Sequence, residues 1–159
     1  MRKHLKWLSV LALTFASLGA HATDVYSCSV SAAPVVFGNY SKYMDVTGTG
    51  SISVSCSLVS GSGTSGQPYT INLDAGGSNS FQPRLMSAPG GGTLAYNLYT
   101  SGNYATVWGD GLSGTGNVTG ALLGTSPEAL HTVYGRLPAN QNPAQGSYSD
   151  TLLVTINFN

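Results

Sequence analysis

Apolar and polar residues alternate with a period of two along much of the chain, as in a β-strand that has one buried and one wet face. The clearest run is 51–58, where four serines alternate with Ile52, Val54, Cys56 and Leu58. The same alternation predicts strands over 69–74, 94–98 and 152–158. A weaker alternation predicts strands over 35–37, 104–108 and 132–137.

Clusters of glycine, serine, proline and asparagine separate these runs and predict loops over 61–66, 88–92 and 109–124. One helical turn is predicted over 126–129, where a capping serine precedes Pro127 at the first helical position. About seven short strands joined by such loops predict an all-β fold, a β-sandwich.

The first 22 residues are typical of a signal peptide. A basic start precedes an apolar run over 7–18, and Ala20-His21-Ala22 gives the small residues of a cleavage site at Ala20 and Ala22. The run is shorter than the roughly 20 residues that a bilayer span needs. We therefore predict a signal peptide over 1–22, a domain over 23–159, export, and no transmembrane segment after cleavage.

Charge is scarce: only 8% of the residues are charged, against roughly 25% in ordinary domains. Three cations and six acids remain in residues 23–159, for a net charge of −3. No basic face is available for a nucleic acid, so no nucleic-acid partner is expected. Because acid–base catalysis needs titratable groups, this composition also argues against an enzyme.

The two cysteines, Cys28 and Cys56, form an even pair in a chain predicted to be exported. An oxidising compartment favours a disulfide between them over a metal site. The loop that it would close predicts a stabilisation of roughly 3–4 kcal/mol in the chain-entropy description. A free redox pair is the alternative, but the Cys-x-x-Cys spacing typical of such pairs is absent.

Several motifs lack the context that their chemistry requires. Residues 61–66 and 109–114 both match G-x-G-x-x-G, but neither is followed by the helix that a dinucleotide site needs. His131 is the one histidine after the leader, which is too few for a zinc site, and no nucleophile elbow accompanies it. We therefore expect no catalytic residues, no metal and no cofactor.

The aromatic residues allow two interpretations. Tyr96, Tyr99, Tyr104, Trp108 and Tyr134 would form a sugar-stacking surface if they were exposed, or would pack in and across the sheets. Packing is the commoner role, since no convergent set of polar groups accompanies them. Tyr104 and Trp108 are kept as candidate surface contacts.

Short motifs follow one another in a fixed order at 28–30, 37–40, 48–56, 84–86, 96–99, 108–111, 133–138, Gln141 and 146–151. Over about 28–158 this ordered set resembles the spore coat protein U domain family, the domain of archaic chaperone–usher pilin subunits. Members of this family are immunoglobulin-like sandwiches that lack their last strand, which leaves a hydrophobic groove. The resemblance thus implies an incomplete sandwich in this chain.

The resemblance also implies a function. A periplasmic chaperone fills the groove, and an outer-membrane usher then exchanges that strand for the N-terminal segment of another pilin-like subunit. This chain would then be a structural subunit of a bacterial pilus or coat, periplasmic in transit and finally at the cell surface. The alternating C-terminal strand is assigned to the groove wall or the core beneath it: Leu152, Val154, Ile156 and Phe158.

The chain departs from polymerising subunits in one respect. After the predicted cleavage, only residues 23–27 precede Cys28, and five residues span at most about 18 Å. A donor strand that fills several pockets needs closer to 10 residues, so a terminal subunit is favoured. Whether a partner strand or the chain's own N-terminus fills the groove stays open. The alternative function is a secreted module that binds a glycan or surface through Tyr104 and Trp108.

Overall fold

The computed structural model describes residues 24–64, 66–123 and 128–159. The predicted leader and its cleavage residues Ala20 and Ala22 lie outside these ranges. Among the described residues, no helix is long and apolar enough to cross a membrane. One 3-10 turn (Gly76–Ser78) accompanies eight strands: β1 (Val25–Ala33), β2 (Val46–Ser60), β3 (Gln67–Leu73), β4 (Arg84–Ser87), β5 (Thr93–Tyr99), β6 (Val118–Leu122), β7 (Glu128–Leu137) and β8 (Val154–Phe158).

The strands form two antiparallel sheets. One sheet has five strands in the order β1-β2-β7-β5-β4, and the other has three in the order β6-β3-β8. Apolar residues from both sheets form one buried cluster, to which the three-stranded sheet contributes Tyr69, Ile71 and Leu73 of β3 and Leu122 of β6. The predicted all-β sandwich is therefore confirmed.

Strong alternation locates most strands correctly. Residues 51–58 lie within β2 and 94–98 within β5, while 132–137 form the second half of β7. The runs over 69–74 and 152–158 give β3 and β8 with ends shifted by one or two residues. In each case one face of the strand meets the opposite sheet, and a strand with one buried face has apolar residues at every second position of its sequence.

Four local predictions are wrong. Residues 35–37 form no strand, and 104–108 contribute isolated bridges at Val107 and Trp108 instead of a strand. The predicted loop over 109–124 contains β6. Glu128 and Ala129 begin β7 instead of ending a helical turn, because they pair with β2; the first half of that turn lies outside the described residues.

The predicted disulfide joins Cys28 of β1 to Cys56 of β2. The two residues are direct cross-strand partners, and β1 pairs with β2 along its whole length. Since β1 is the edge strand of the five-stranded sheet, the disulfide fastens that edge to the rest of the fold.

A buried arginine connects the two sheets. Arg84 of β4 is fully buried, and its guanidinium donates to the carbonyl oxygens of Asp74 and Trp108 at 2.7 Å and to Oδ1 of Asn97 at 2.8 Å. Burial lowers the pKa of Arg84. These acceptors compensate for the lost hydration of the cation. Because Asp74 follows β3, the contacts fix one end of the three-stranded sheet against the five-stranded one.

Candidate functional site

The last strand, β8, pairs with β3 on one side. Val154, Ile156 and Phe158 lie directly opposite Leu73, Ile71 and Tyr69. Within the described residues no strand pairs with the other edge of β8. While the three β3 residues are buried, Val154 and Ile156 are only partly buried and Phe158 is 40% exposed. The β8 edge therefore offers unpaired backbone groups beside an incompletely covered apolar face.

The edge strand of the opposite sheet, β1, shows the same incomplete cover. Val30 and Ala32 are the cross-strand partners of Val54 and Ile52, and directly opposite residues of antiparallel strands share one face of a sheet. Val54 is 0% exposed, whereas Val30 is 45% exposed. Because this inward-facing valine stays exposed, none of the described strands of the other sheet covers it. The sandwich is thus open between β1 and β8.

An open cavity of about 850 Å³ continues this gap into the core. We call it the groove. Its lining includes Ala32 of β1 and Val154 of β8, and two chain segments, 33–40 and 146–152, contribute further lining residues. Its floor is formed by inward-facing residues of β2, β5 and β7: Ile52, Leu94, Tyr96, Leu98, Val133 and Leu137. The surface on offer is long, apolar and bordered by an unpaired strand edge.

The wall segment 33–38 crosses the five-stranded sheet where that sheet carries glycine. Gly48 of β2 and Gly135 of β7 are cross-strand partners. A Cβ atom on Gly135 would lie 2.6 Å from Cγ1 of Val35 and 2.7 Å from the ring of Phe37, and one on Gly48 would collide with the backbone of the same segment. The glycines therefore let an extended segment lie directly on the sheet, which explains why its alternating residues form no strand ladder.

The groove has one polar corner. The Tyr96 hydroxyl donates to Oδ2 of Asp150 at 2.8 Å, and Oδ1 of Asp150 accepts the backbone N–H groups of Gly77 and Thr151 at 2.9 Å. Burial and the hydrogen bond to Asp150 raise the pKa of Tyr96, so its hydroxyl remains a donor at physiological pH. Asp150 is the one charged side chain among the described residues that line the groove.

Of the four residues assigned to the groove wall or the core beneath it, two line the groove. Leu152 and Val154 line the groove, and Ile156 packs against the core cluster. Phe158 lies beyond the lining residues, with its ring centroid 6.1 Å from that of Tyr69. Their role in accepting a strand stays a prediction.

The assignment of Trp108 to a surface contact is wrong. Its side chain is fully buried and donates its indole N–H to the carbonyl oxygen of Ile71 at 3.0 Å. Tyr104 is partly buried, at the tip of a turn with a positive φ of 56°. Its ring is 5.3 Å from that of Tyr99 and 5.7 Å from the Arg136 guanidinium. A role for Tyr104 in contacting a glycan or surface stays a prediction, but Trp108 does not share it.

Sequence reasoning missed the β1 side of the groove and its polar corner. Strand β1 alternates serine with Cys28, Val30 and Ala32, a pattern that was available but lacks large apolar residues. Gly48 and Gly135 lie at inward positions of alternating strands and could have marked a close approach of another segment. Nothing in the local sequence around Asp150 indicates that Tyr96 reaches it.

The fold and the site define a class of domain: an antiparallel β-sandwich with an open groove between two edge strands. The family description "Spore Coat Protein U domain" matches residues 14–155, so the chain belongs to that family. Protein U of Myxococcus xanthus is 38% identical over 128 residues, which cover 79% of this chain and 67% of Protein U.

A solved structure shares the fold. The chaperone–tip adhesion subunit pre-assembly complex CsuC–CsuE, from the archaic chaperone-usher Csu pili of Acinetobacter baumannii, contains a chain that superimposes with a TM-score of 0.58 at 21% identity. The match covers 84% of this chain and 40% of that one. The likeness therefore concerns the fold, and this chain corresponds to less than half of that longer polypeptide.

Proposed function

We propose that this protein is an exported structural subunit of a bacterial surface fibre or coat, and that its groove receives an extended strand from another polypeptide. The observation that carries the proposal is the open gap between β1 and β8, where inward-facing Val30 is 45% exposed. An incoming strand would hydrogen-bond to the free edge of β8 and bury alternate side chains on the groove floor. The backbone hydrogen bonds would supply the affinity, and the fit of the alternate side chains to the groove floor would supply the selectivity.

The proposed partners follow from the family and from the relative with a shared fold. A periplasmic chaperone would fill the groove first, and an outer-membrane usher would replace its strand with that of another subunit. The solved complex of a chaperone with a pilus subunit supports this sequence of partners. The disulfide is consistent with passage through an oxidising periplasm to the cell surface. The proposal assigns no catalysis to the chain.

A terminal position is the finer part of the proposal. Residues Val25–Ala33 pair with β2, so they belong to the chain's own sheet. The Asp24 carboxylate accepts the backbone N–H groups of Ser62 and Gly63, at 2.7 and 3.0 Å. A donor strand would therefore have to precede residue 24. With cleavage after Ala22 the subunit would accept a strand without donating one, and N-terminal sequencing of the exported protein tests that boundary.

The experiment is to fill the groove from within the same chain. The mature protein is extended after Asn159 by a flexible linker and a ten-residue strand that alternates valine with threonine. We expect a higher melting temperature and less aggregation than in the unextended protein. The control carries the same linker and composition, with the valines consecutive so that they cannot all face one side.

Two results would overturn the proposal. One is an alternating extension that leaves the melting temperature and the aggregation of the mature protein unchanged. The other is an equal effect of the alternating and the consecutive extension, because strand insertion depends on which residues face the groove.

A further inference from the structure

The groove has a mainly apolar lining but carries a negative charge at its polar corner. Asp150 is the one charged side chain among its described lining residues, and Asp74, whose charge also acts on Tyr96, is close by. The positive charge in this region is Arg84, whose guanidinium is buried and donates to carbonyl and amide oxygens. Two carboxylates and one guanidinium leave this corner with a formal charge of −1.

The Asp150 carboxylate is held in place at the groove. Its Oδ1 accepts two backbone N–H groups, from Gly77 and Thr151. A Cβ atom on Gly76 would collide with Oδ2, so glycine at that position leaves room for the carboxylate. Among the described residues Oδ2 accepts one hydrogen bond, from Tyr96, and a carboxylate oxygen can accept a second. A fixed, partly buried anion with spare capacity favours a cationic donor.

We propose that the groove selects strands with a lysine or arginine at the position that reaches Asp150, and disfavours strands with an acidic residue there. This inference rests on the proposed strand-accepting function and adds the chemistry of the occupant. An aliphatic stem would follow the apolar floor while its charged head reaches the corner. A carboxylate at the same position would meet Asp150 in a partly buried corner, where like charges repel more strongly than in bulk water.

The test measures the binding of synthetic peptides to the mature protein. The parent peptide has ten residues that alternate valine with threonine, and both of its ends are blocked. Derivatives carry lysine or glutamate in place of the first or of the last valine, because these two positions face the groove together with the other valines and either can lie at Asp150 depending on strand direction. For one of the two ends we expect the lysine peptide to bind about tenfold more tightly than the glutamate peptide. The preference should weaken as the salt concentration rises.

Asp150→Asn and Asp110→Asn form the matched pair of variants. Both remove one negative charge, but Asp110 lies in the exposed segment 110–114, outside the groove lining. Asparagine at 150 keeps an oxygen for the backbone N–H groups of Gly77 and Thr151, and its amide N–H can donate to the Tyr96 hydroxyl, so the fold should persist, which thermal unfolding checks. We expect the lysine preference to fall to about twofold in Asp150→Asn and to stay at about tenfold in Asp110→Asn.

The outcomes separate this inference from the function on which it rests. If the parent peptide does not bind, the strand-accepting function is wrong. If it binds but the lysine and glutamate peptides bind equally at both ends, the charge selectivity is wrong while the groove remains. An equal loss of preference in both variants would also overturn the inference, because it would trace the effect to net charge instead of Asp150.

Discussion

The sandwich has a closed region and an open region that are built from similar alternating strands. In the closed region, around Arg84 and Trp108, both side chains are fully buried and their polar groups reach carbonyl oxygens of the other sheet or its flanking loop. In the open region, between β1 and β8, inward-facing Val30 is 45% exposed. The two regions therefore differ in whether a second layer covers the strand.

The difference shows that patterning specifies which face of a strand is apolar but not what covers that face. Apolar area that remains exposed retains the free energy that its burial would release, about 25 cal/mol per Å². The closed region has used that free energy to stabilise the fold of this chain. In the open region the apolar area is still exposed, so the free energy of its burial can stabilise association with another chain. This is the physical basis of the proposed function.

The largest effect should come from breaking the closed region at Arg84. Arg84→Met would leave the carbonyl oxygens of Asp74 and Trp108 buried without their donor, and unsatisfied buried groups are costly. We expect a loss of at least about 3 kcal/mol in the free energy of unfolding, as for other broken buried charge networks. Urea unfolding measures it. Arg136→Met, at the exposed pair with Asp45, is the control and should cost much less.

The second prediction concerns the edge of the open region. Replacing Cys28 and Cys56 together by serine removes the link between β1 and β2, and about 3 kcal/mol of stability should be lost. Hydrogen exchange should accelerate most in β1, since that strand has one neighbour in its sheet. Equal acceleration in β1 and in the central strand β7 would contradict the idea that the disulfide mainly secures the groove edge.

The third prediction tests whether the wall of the groove is fixed in place. In Gly135→Ala the new methyl group would overlap Val35 and Phe37, so segment 33–38 must move. We expect a loss of about 1–3 kcal/mol, typical of overpacking, together with weaker peptide binding. Gly90→Ala is the matched control, because a Cβ atom there has no neighbour within 4 Å. Similar losses in both variants would mean that the wall is loosely packed.

Much of the fold could be predicted from the sequence, because large apolar residues at every second position mark the strands of the core, as in β2 and β5. Strand β6 escaped prediction, since its inward position at Gly120 carries no side chain and accommodates the Tyr69 ring instead. The segment 35–37 is apolar like a strand but lies on Gly48 and Gly135 of the five-stranded sheet. Alternation of apolar and polar residues predicts which face of a segment is buried, but it does not predict whether the segment's backbone pairs with another strand.

The candidate site was predictable only in part. The alternation over 152–158 located β8 at the groove, and the resemblance supplied the expectation of a missing strand. The polar corner joins Tyr96 to Asp150, which are 54 positions apart in the sequence, and only the packing of β5 against the segment before β8 brings them together. Trp108 was misassigned because a tryptophan between bridges and glycine-rich turns has no periodic context from which burial can be inferred.

The smallest expected effect concerns a contact between the sheets near the margin of the open region. The Tyr69 hydroxyl of β3 lies 2.7 Å from Nε2 of His131 on β7, and Phe158 of β8 packs against the Tyr69 ring. Burial lowers the pKa of His131 below its ordinary value of 6.5. Just below pH 6.5 the unfolded chain therefore binds more protons than the folded protein. The free energy of unfolding consequently decreases as the pH is lowered through this range.

We expect the free energy of unfolding to decrease as the pH is lowered from 7 through the depressed pKa of His131, and this contribution to level off below it. Replacing His131 by glutamine, which can still meet the Tyr69 hydroxyl, should flatten the profile between about pH 7 and 5, above the usual carboxylate range. Urea unfolding at several pH values compares the two proteins. A slope that persists unchanged in His131→Gln would show that other groups cause the pH dependence and that His131 is not buried enough at this margin to contribute to it.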